Sequence, residues 1–213
     1  MSPDVLVTGA AGMLGRDVVA AAAARGWRCN GLAREHLDIT DRAAVADALR
    51  AHAPAVVVNC AAWTNVDGAE EHEADAFAAN VSGPFNLASA SREAGARLVH
   101  VSTDYVFDGT ATVPYVESDP IGPIGAYGRT KLAGEWAVLA ASDRHVVART
   151  AWVFGLGRRN FVADVLERAA AGEEVKAFTD QRGCPTYSVH LADRLLDLAT
   201  GDRGGVFHEA ASG

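Results

Sequence analysis

Tyr127 stands four residues before Lys131, in the run Tyr127-Gly128-Arg129-Thr130-Lys131, and this pairing is the one whose residue types and spacing best suit chemistry. Positions i and i+4 of a helix share a face, so the phenol and the ammonium can point into one cleft. A free tyrosine ionises near pH 10, and a neighbouring cation favours the phenolate, which tunes the hydroxyl for reversible proton transfer. Upstream, Ser102-Thr103-Asp104-Tyr105 closes a strand-like run, where the Thr103 hydroxyl can hydrogen-bond and orient a substrate oxygen. Tyr127, Lys131 and Thr103 are the candidate catalytic residues. Taken alone, Y-x-x-x-K also occurs as an ordinary surface pair, so its meaning depends on what positions it.

The second chemical feature is Thr8-Gly9-Ala10-Ala11-Gly12-Met13-Leu14-Gly15, a G-x-x-G-x-x-G spacing that follows the first apolar run and opens an Ala-rich helical stretch. Glycines there allow a tight turn and a close backbone approach to a pyrophosphate, and the helix N-terminus offers unpaired N–H groups. Gly9, Gly12, Met13, Leu14 and Gly15 are therefore candidate cofactor-binding residues. Binders of NAD usually carry an acid about 20 residues past such glycines. Gly31-Leu32-Ala33-Arg34 occupies that region here. Arg34 can meet a 2′-phosphate, which favours NADPH over NADH, or it can be a solvated surface arginine. Asp38 can contact the adenine half.

The surrounding elements fit this placement. Val5–Val7, Trp27–Ala33, Ala55–Asn59, Leu98–Val106 and His145–Val153 read as strands. Helices are expected over Gly12–Arg25, from Thr40 or Asp41 to Pro54, from about Glu70 to Ala94 with a loosening at Ser82-Gly83-Pro84, and over Tyr127–Ala141. Such alternation predicts an α/β fold, a Rossmann-like doubly wound parallel sheet with helices on both faces. Beyond Gly155 the rhythm changes: helices are expected over Asn160–Ala171 and His190–Ala199, and strands at Val175–Phe178 and around Gly204–His208. The expected division is a dinucleotide-binding domain over 1–155. Residues 156–213 would form a small, incomplete substrate-binding lobe with elements returning to that domain, and a C-terminal portion would lie beyond Gly213.

Composition narrows the setting. The 213 residues suffice for one α/β domain, and 49% are apolar and 22% charged. A net charge of -8 argues against a nucleic-acid partner. No apolar run reaches the roughly 18 residues of a membrane span. Cys29, Cys60 and Cys184 are widely spaced, which suits a reducing compartment and a cytoplasmic protein. No histidine spacing announces a zinc site, and no metal ligands are assigned.

With these motifs in one chain, the sequence resembles the extended short-chain dehydrogenase/reductases. Ser102-Thr103-Asp104-Tyr105-Val106-Phe107-Asp108-Gly109 is similar to a signature of their dTDP-4-dehydrorhamnose reductase subfamily. So are Asn59-Cys60-Ala61-Ala62-Trp63-Thr64, Arg149-Thr150-Ala151-Trp152-Val153 and Asp180-Gln181-Arg182-Gly183-Cys184-Pro185-Thr186. The resemblance implies that Tyr127 donates a proton to the C4 carbonyl of a dTDP-4-keto sugar while NAD(P)H delivers hydride, with Lys131 and Thr103 assisting. It adds Ile39, Ala61, Ala62, Trp63 and Thr64 to the cofactor lining, and gives Thr103, Asp104 and Trp152 contacts to the sugar nucleotide. Trp63 stands where relatives often carry His or Tyr. Some relatives form homodimers through acidic residues and Mg²⁺; Asp17 could match one of these, but the C-terminal partners are absent from this sequence, so Mg²⁺ is unsupported. Two other readings stay open: a reductase or epimerase acting on another nucleotide sugar, and a non-catalytic NADP-binding regulatory subunit of the methionine adenosyltransferase type.

Overall fold

The computed structural model describes residues 3–157, 160–175 and 180–211. Strand β1 (Asp4–Thr8) leads through a glycine turn into α1 (Met13–Ala24), and β2 (Arg28–Leu32) follows. Helix α2 (Arg42–His52) starts where the Asp41 carboxylate accepts the Ala43 and Ala44 N–H groups, at 2.9 and 3.1 Å, satisfying donors that a helix start leaves open. It ends at Ala53, whose φ of 41° turns the chain ahead of Pro54. The all-buried β3 (Val56–Asn59) comes next.

Six strands form one parallel sheet in the order β2-β1-β3-β4-β5-β8, completed by β4 (Arg97–Thr103), β5 (Val146–Thr150) and β8 (Gly205–His208). Alternation along the strands sends Val5, Val7, Val58, Val99 and Ala148 to one face, where they pack with α1 and with α8 (Ser188–Thr200). Leu6, Val57, Leu98 and Val147 line the other face, against α2, α5 (Gly83–Glu93) and α6 (Ala126–Ala141). Burial on both faces explains why the central strands are runs of valine rather than alternating patterns. The doubly wound α/β expectation is met.

Three boundaries differ from expectation. The helix expected over 70–94 is broken: α3 (Gly68–Glu71) stops at His72 (φ -124°, ψ 44°), α4 (Glu73–Phe77) resumes, and a π-helical turn (Ala78–Ser82) precedes α5. Strand β4 ends at Thr103 because the Thr103 hydroxyl accepts the Tyr105 N–H at 3.2 Å and caps a 3₁₀ turn over Asp104–Val106. Strand β5 ends at Thr150 because Trp152 takes a left-handed backbone with φ 44°.

After β6 (Val153–Phe154), helix α7 (Phe161–Ala170) is capped by the Asn160 side chain and has no buried residue. Strand β7 (Thr186–Tyr187) pairs with β6 in a separate parallel ribbon. The strand expected at Val175–Phe178 falls on 176–179, outside the described residues. No helix among the described residues is long and apolar enough to cross a membrane.

Candidate active site

The glycine turn sits at the C-terminal edge of the sheet, where open α/β sheets take ligands. Gly9 has φ +67°, and a Cβ there would meet the Ala61 backbone at 2.7 Å. A Cβ on Gly15 would fall 2.3 Å from the Gly9 carbonyl, so neither position tolerates a side chain. Gly12 caps α1 with no side chain, which leaves the first-turn N–H groups, those of Met13 and Leu14 among them, without helical acceptors. This cradle fits a dinucleotide pyrophosphate by shape and by the polarity of the helix end.

Arg34 and Asp38 follow β2. Arg34 is exposed, and its guanidinium lies 3.4 Å from the Asp38 carboxylate. Hydrogen bonds from the Thr40 N–H and hydroxyl hold the Asp38 carboxyl below its usual range, with Arg34 adding to the effect. The Ile39 side chain is buried in the core against Gly83, so only its backbone remains to meet a ligand. Beyond β3, Ala62 and Thr64 are exposed, and the Ala61 N–H donates to the Asn59 side-chain Oδ1 at 3.0 Å.

Asn80, which the sequence motifs do not mark, braces the candidate site. It is fully buried in the π-helical turn, accepts the Trp63 N–H at 2.9 Å and donates to the Trp63 carbonyl at 3.2 Å. Its amide also donates to Thr130 Oγ1 at 3.2 Å, and Thr130 in turn bonds the Tyr127 carbonyl. One side chain thus ties the Trp63 segment to the helix carrying Tyr127 and Lys131. The Ser82-Gly83-Pro84 irregularity was its one trace in the sequence. Local π-turns of this kind are frequent at functional sites.

Tyr127 opens α6, packed like Trp63 against the small cluster of Ala69, Ala76 and Ala126, with its ring edge-on to Tyr105, centroids 5.6 Å apart. The ring keeps some accessible surface, yet its hydroxyl is deeply surrounded, and burial pushes it up to about 12. A hydrogen bond with Thr103 pulls the other way. The Thr103 hydroxyl also donates to Asp104 Oδ1 at 3.1 Å, and burial raises the Asp104 carboxyl. The structure therefore brings Thr103, Asp104 and Tyr127 together. Lys131 behaves differently from expectation: its ammonium donates to the Val101 carbonyl at 2.7 Å and does not figure among the groups that shift Tyr127. Burial lowers Lys131 to about 8, against a partly compensating pull led by the Glu135 carboxylate.

Trp152 is half-exposed despite its positive φ, a conformation that costs a bulky residue about 1–3 kcal/mol. A Cβ on Gly183 would meet its ring at 2.6 Å, so the Asp180–Thr186 segment lies directly against it. Trp152 is thus an accessible aromatic on a strained backbone and not a core residue. The Asp17 carboxylate accepts the Ser188 hydroxyl, and no cluster of three His, Cys, Asp or Glu side chains among the described residues is arranged to hold a metal. A cavity of 670 Å³ is lined by Phe154, Tyr187, His190, Arg194 and Glu209, none of them a residue of the Tyr127 cleft.

Comparison with known proteins identifies the family. Residues 3–213 match the family model described as the RmlD substrate binding domain. The dTDP-4-dehydrorhamnose reductase of Streptomyces griseus is 48% identical over 99% of this chain and 71% of its own length. The dTDP-4-keto-6-deoxy-D-glucose reductase of Streptomyces niveus is 46% identical over 98% of this chain and 73% of its own. The crystal structure of dTDP-4-dehydrorhamnose reductase from Bacillus anthracis in complex with NADP superposes with a TM-score of 0.96 at 33% identity, covering 100% of this chain and 76% of that one. The chain belongs to the RmlD substrate binding domain family, among the dTDP-4-dehydrorhamnose reductases.

Proposed function

We propose that the protein reduces the C4 keto group of a dTDP-4-keto-6-deoxy sugar, dTDP-4-dehydro-L-rhamnose first among them, giving dTDP-L-rhamnose. The observation that carries this reading is the Tyr127 hydroxyl, surrounded by protein and hydrogen-bonded to Thr103 at the C-terminal edge of the sheet that also holds the glycine cradle. NAD(P)H bound there supplies hydride. Burial keeps Tyr127 protonated at neutral pH, so it serves as the acid that delivers a proton to the carbonyl oxygen. Thr103 shares hydrogen bonds with Tyr127 and Asp104, which orients the acceptor oxygen. Trp63 and Trp152 flank the cleft as apolar walls for the nicotinamide and the sugar nucleotide. Asn80 positions Trp63 without touching either ligand. Gly9, Gly12, Met13, Leu14 and Gly15 hold the pyrophosphate, and Arg34 selects NADPH.

We further propose that the protein works in the cytoplasm, with residues 1–155 as the cofactor domain and 156–213 supplying part of the substrate lobe while α8 and β8 return to the cofactor domain. The test is oxidation of NADPH and NADH in the presence of dTDP-4-dehydro-L-rhamnose and dTDP-4-keto-6-deoxy-D-glucose. Turnover of the rhamnose precursor is expected. Turnover of the glucose derivative alone would transfer the reading to the reaction named for the Streptomyces niveus relative. Absence of oxidation with either sugar would overturn it.

A further inference from the structure

Beneath the cleft, a polar row crosses the sheet where hydrophobic residues would be expected. Thr8, Asn59 and His100 are register partners on β1, β3 and β4, and all three are fully buried. The Thr8 hydroxyl donates to Asn59 Oδ1 at 2.6 Å, and the Ala61 backbone N–H donates to the same oxygen at 3.0 Å. A backbone N–H can only donate, so the amide orientation of Asn59 is fixed by its surroundings. Its Nδ2 therefore donates to His100 Nδ1 at 2.9 Å. A ring nitrogen that accepts carries no proton, and a buried imidazole beside a lysine is neutral. The His100 proton must then sit on Nε2, which lies 3.4 Å from Lys131 Nζ.

An ammonium at that position would set two N–H donors against each other. A neutral amine satisfies both neighbours: its lone pair accepts from His100 Nε2, and one of its N–H groups donates to the Val101 carbonyl. We propose that His100 is a positioning residue for Lys131, locked by Thr8 and Asn59 into the tautomer that presents a donor to the lysine, so that the pocket favours the neutral amine and orients its lone pair. The other ionisable groups acting on Lys131 are Glu135 of its own helix and Cys60 beyond β3. Burial drives the Cys60 thiol up to about 12, so near neutral pH it adds no charge. The low position of Lys131, about 8, agrees with a pocket that disfavours the ammonium. The consequence is a catalytic lysine that gains or loses a proton near working pH, and it rests on the reading of Lys131 as part of the reductase site. The tautomer and the titration can be measured without turnover, so failure of the reductase assay and failure of this proposal are separate results.

Lys131 and Lys176 are the two lysines of the sequence, which makes lysine-selective labelling decisive. In the whole chain labelled with ¹³Cε-lysine, the signal lost in Lys131→Met is expected to titrate well below the ordinary value of about 10.4. Nitrogen-15 spectra of the histidines should show two buried rings in the neutral Nε2–H form, His145, whose Nδ1 accepts the Leu98 N–H, and His100, whose signal is the one lost in His100→Leu. His100→Leu should raise the Lys131 midpoint by about one pH unit, the effect of losing one hydrogen bond to the neutral form. His100→Gln, whose amide can still donate, should restore most of the shift. A His100 ring with its proton on Nδ1 overturns the proposal even if no variant folds. An unchanged Lys131 midpoint in folded His100→Leu overturns it equally.

Discussion

Helix α6 sends two ionisable side chains one turn apart to the same face of the sheet, and they meet opposite surroundings. Glu135 is closed on every side: it accepts the Ser102 hydroxyl at 2.6 Å and forms a two-pronged ion pair with Arg149, at 2.7 Å to Nη2 and 3.0 Å to Nε. Lys131 meets a carbonyl and an imidazole instead of a carboxylate. Both are almost completely buried. A buried charge with a matched partner stays ionised and holds elements together, here α6, β4 and β5. A buried cation whose direct hydrogen-bond partners are neutral, with the nearest carboxylate already engaged by Arg149, moves toward its neutral form and becomes available for proton chemistry. The difference separates a brace from a reactive group on one helix.

The largest effect should come from breaking the brace. Glu135→Ala leaves Arg149 buried and unpaired, and should lower the free energy of unfolding by about 3–5 kcal/mol, read as a shift of the urea midpoint. Replacing both partners, as in Glu135→Leu with Arg149→Met, should recover most of that loss. A double variant as unstable as the single one would show that the pair does more than neutralise itself. Tyr127→Phe probes the reactive half: kcat/KM for the ketosugar should fall by about 10²–10⁴ while the urea midpoint stays close to wild type. Full activity in Tyr127→Phe would remove it as the proton donor. Thr103→Val should cost about tenfold in kcat, the value of one hydrogen bond of about 1.4 kcal/mol, with a smaller change in the NADPH KM.

The comparison also predicts how stability responds to pH. Lys131 is lowered to about 8 in the folded chain from an ordinary 10.5, so the unfolded chain binds more protons between those values. Stability contributed by this group is therefore complete above the unfolded value and is lost as pH falls toward 8. Cys60, raised from 9.0 to about 12, acts in the opposite sense above pH 9. In the window from 8 to 9 the lysine acts alone of the two, and the free energy of unfolding should rise by up to about 1.4 kcal/mol. Lys131→Met should flatten that rise. Equal slopes in the two proteins would mean that Lys131 titrates like an exposed lysine.

Much of the site was legible because its signals are local. The glycine turn, the helix cap at Asp41, one of the two residues expected there, and the Y-x-x-x-K spacing each act within a few residues of chain, although Lys131 turns to the Val101 carbonyl instead of acting on Tyr127. Asn80, His100 and Glu135 were invisible for the converse reason. Asn80 sits inside what reads as one long amphipathic helix, and only the packed π-turn aims its amide at Trp63 and Thr130. His100 interrupts an apolar strand, and its role depends on strand register with Asn59, a relation between residues 41 apart. The strand ends at Thr103 and Thr150 were overrun for a similar reason. A hydroxyl accepting a backbone N–H and a left-handed tryptophan stop them, and neither is encoded in apolar patterning.

A third cation extends the scale to its weak end. Arg34 is exposed on a loop and pairs with Asp38 at 3.4 Å, a geometry that in water is worth well under 1 kcal/mol. Losing that pair should leave the urea midpoint unchanged within error in Arg34→Ala. Its proposed value is reserved for a ligand: a 2′-phosphate brings two negative charges to a guanidinium suited to bidentate hydrogen bonds. Solvent screens that contact, so the expected cost is about 1 kcal/mol, a roughly fivefold rise in the KM for NADPH with the KM for NADH unaltered. Raising the ionic strength should shrink the NADPH effect, because the contact lies in solvent and the Debye length falls from about 10 Å at 0.1 M to about 3 Å at 1 M. Equal losses for both cofactors would place Arg34 at the adenine or the pyrophosphate rather than at the 2′ position, and no loss for either would make it a surface arginine.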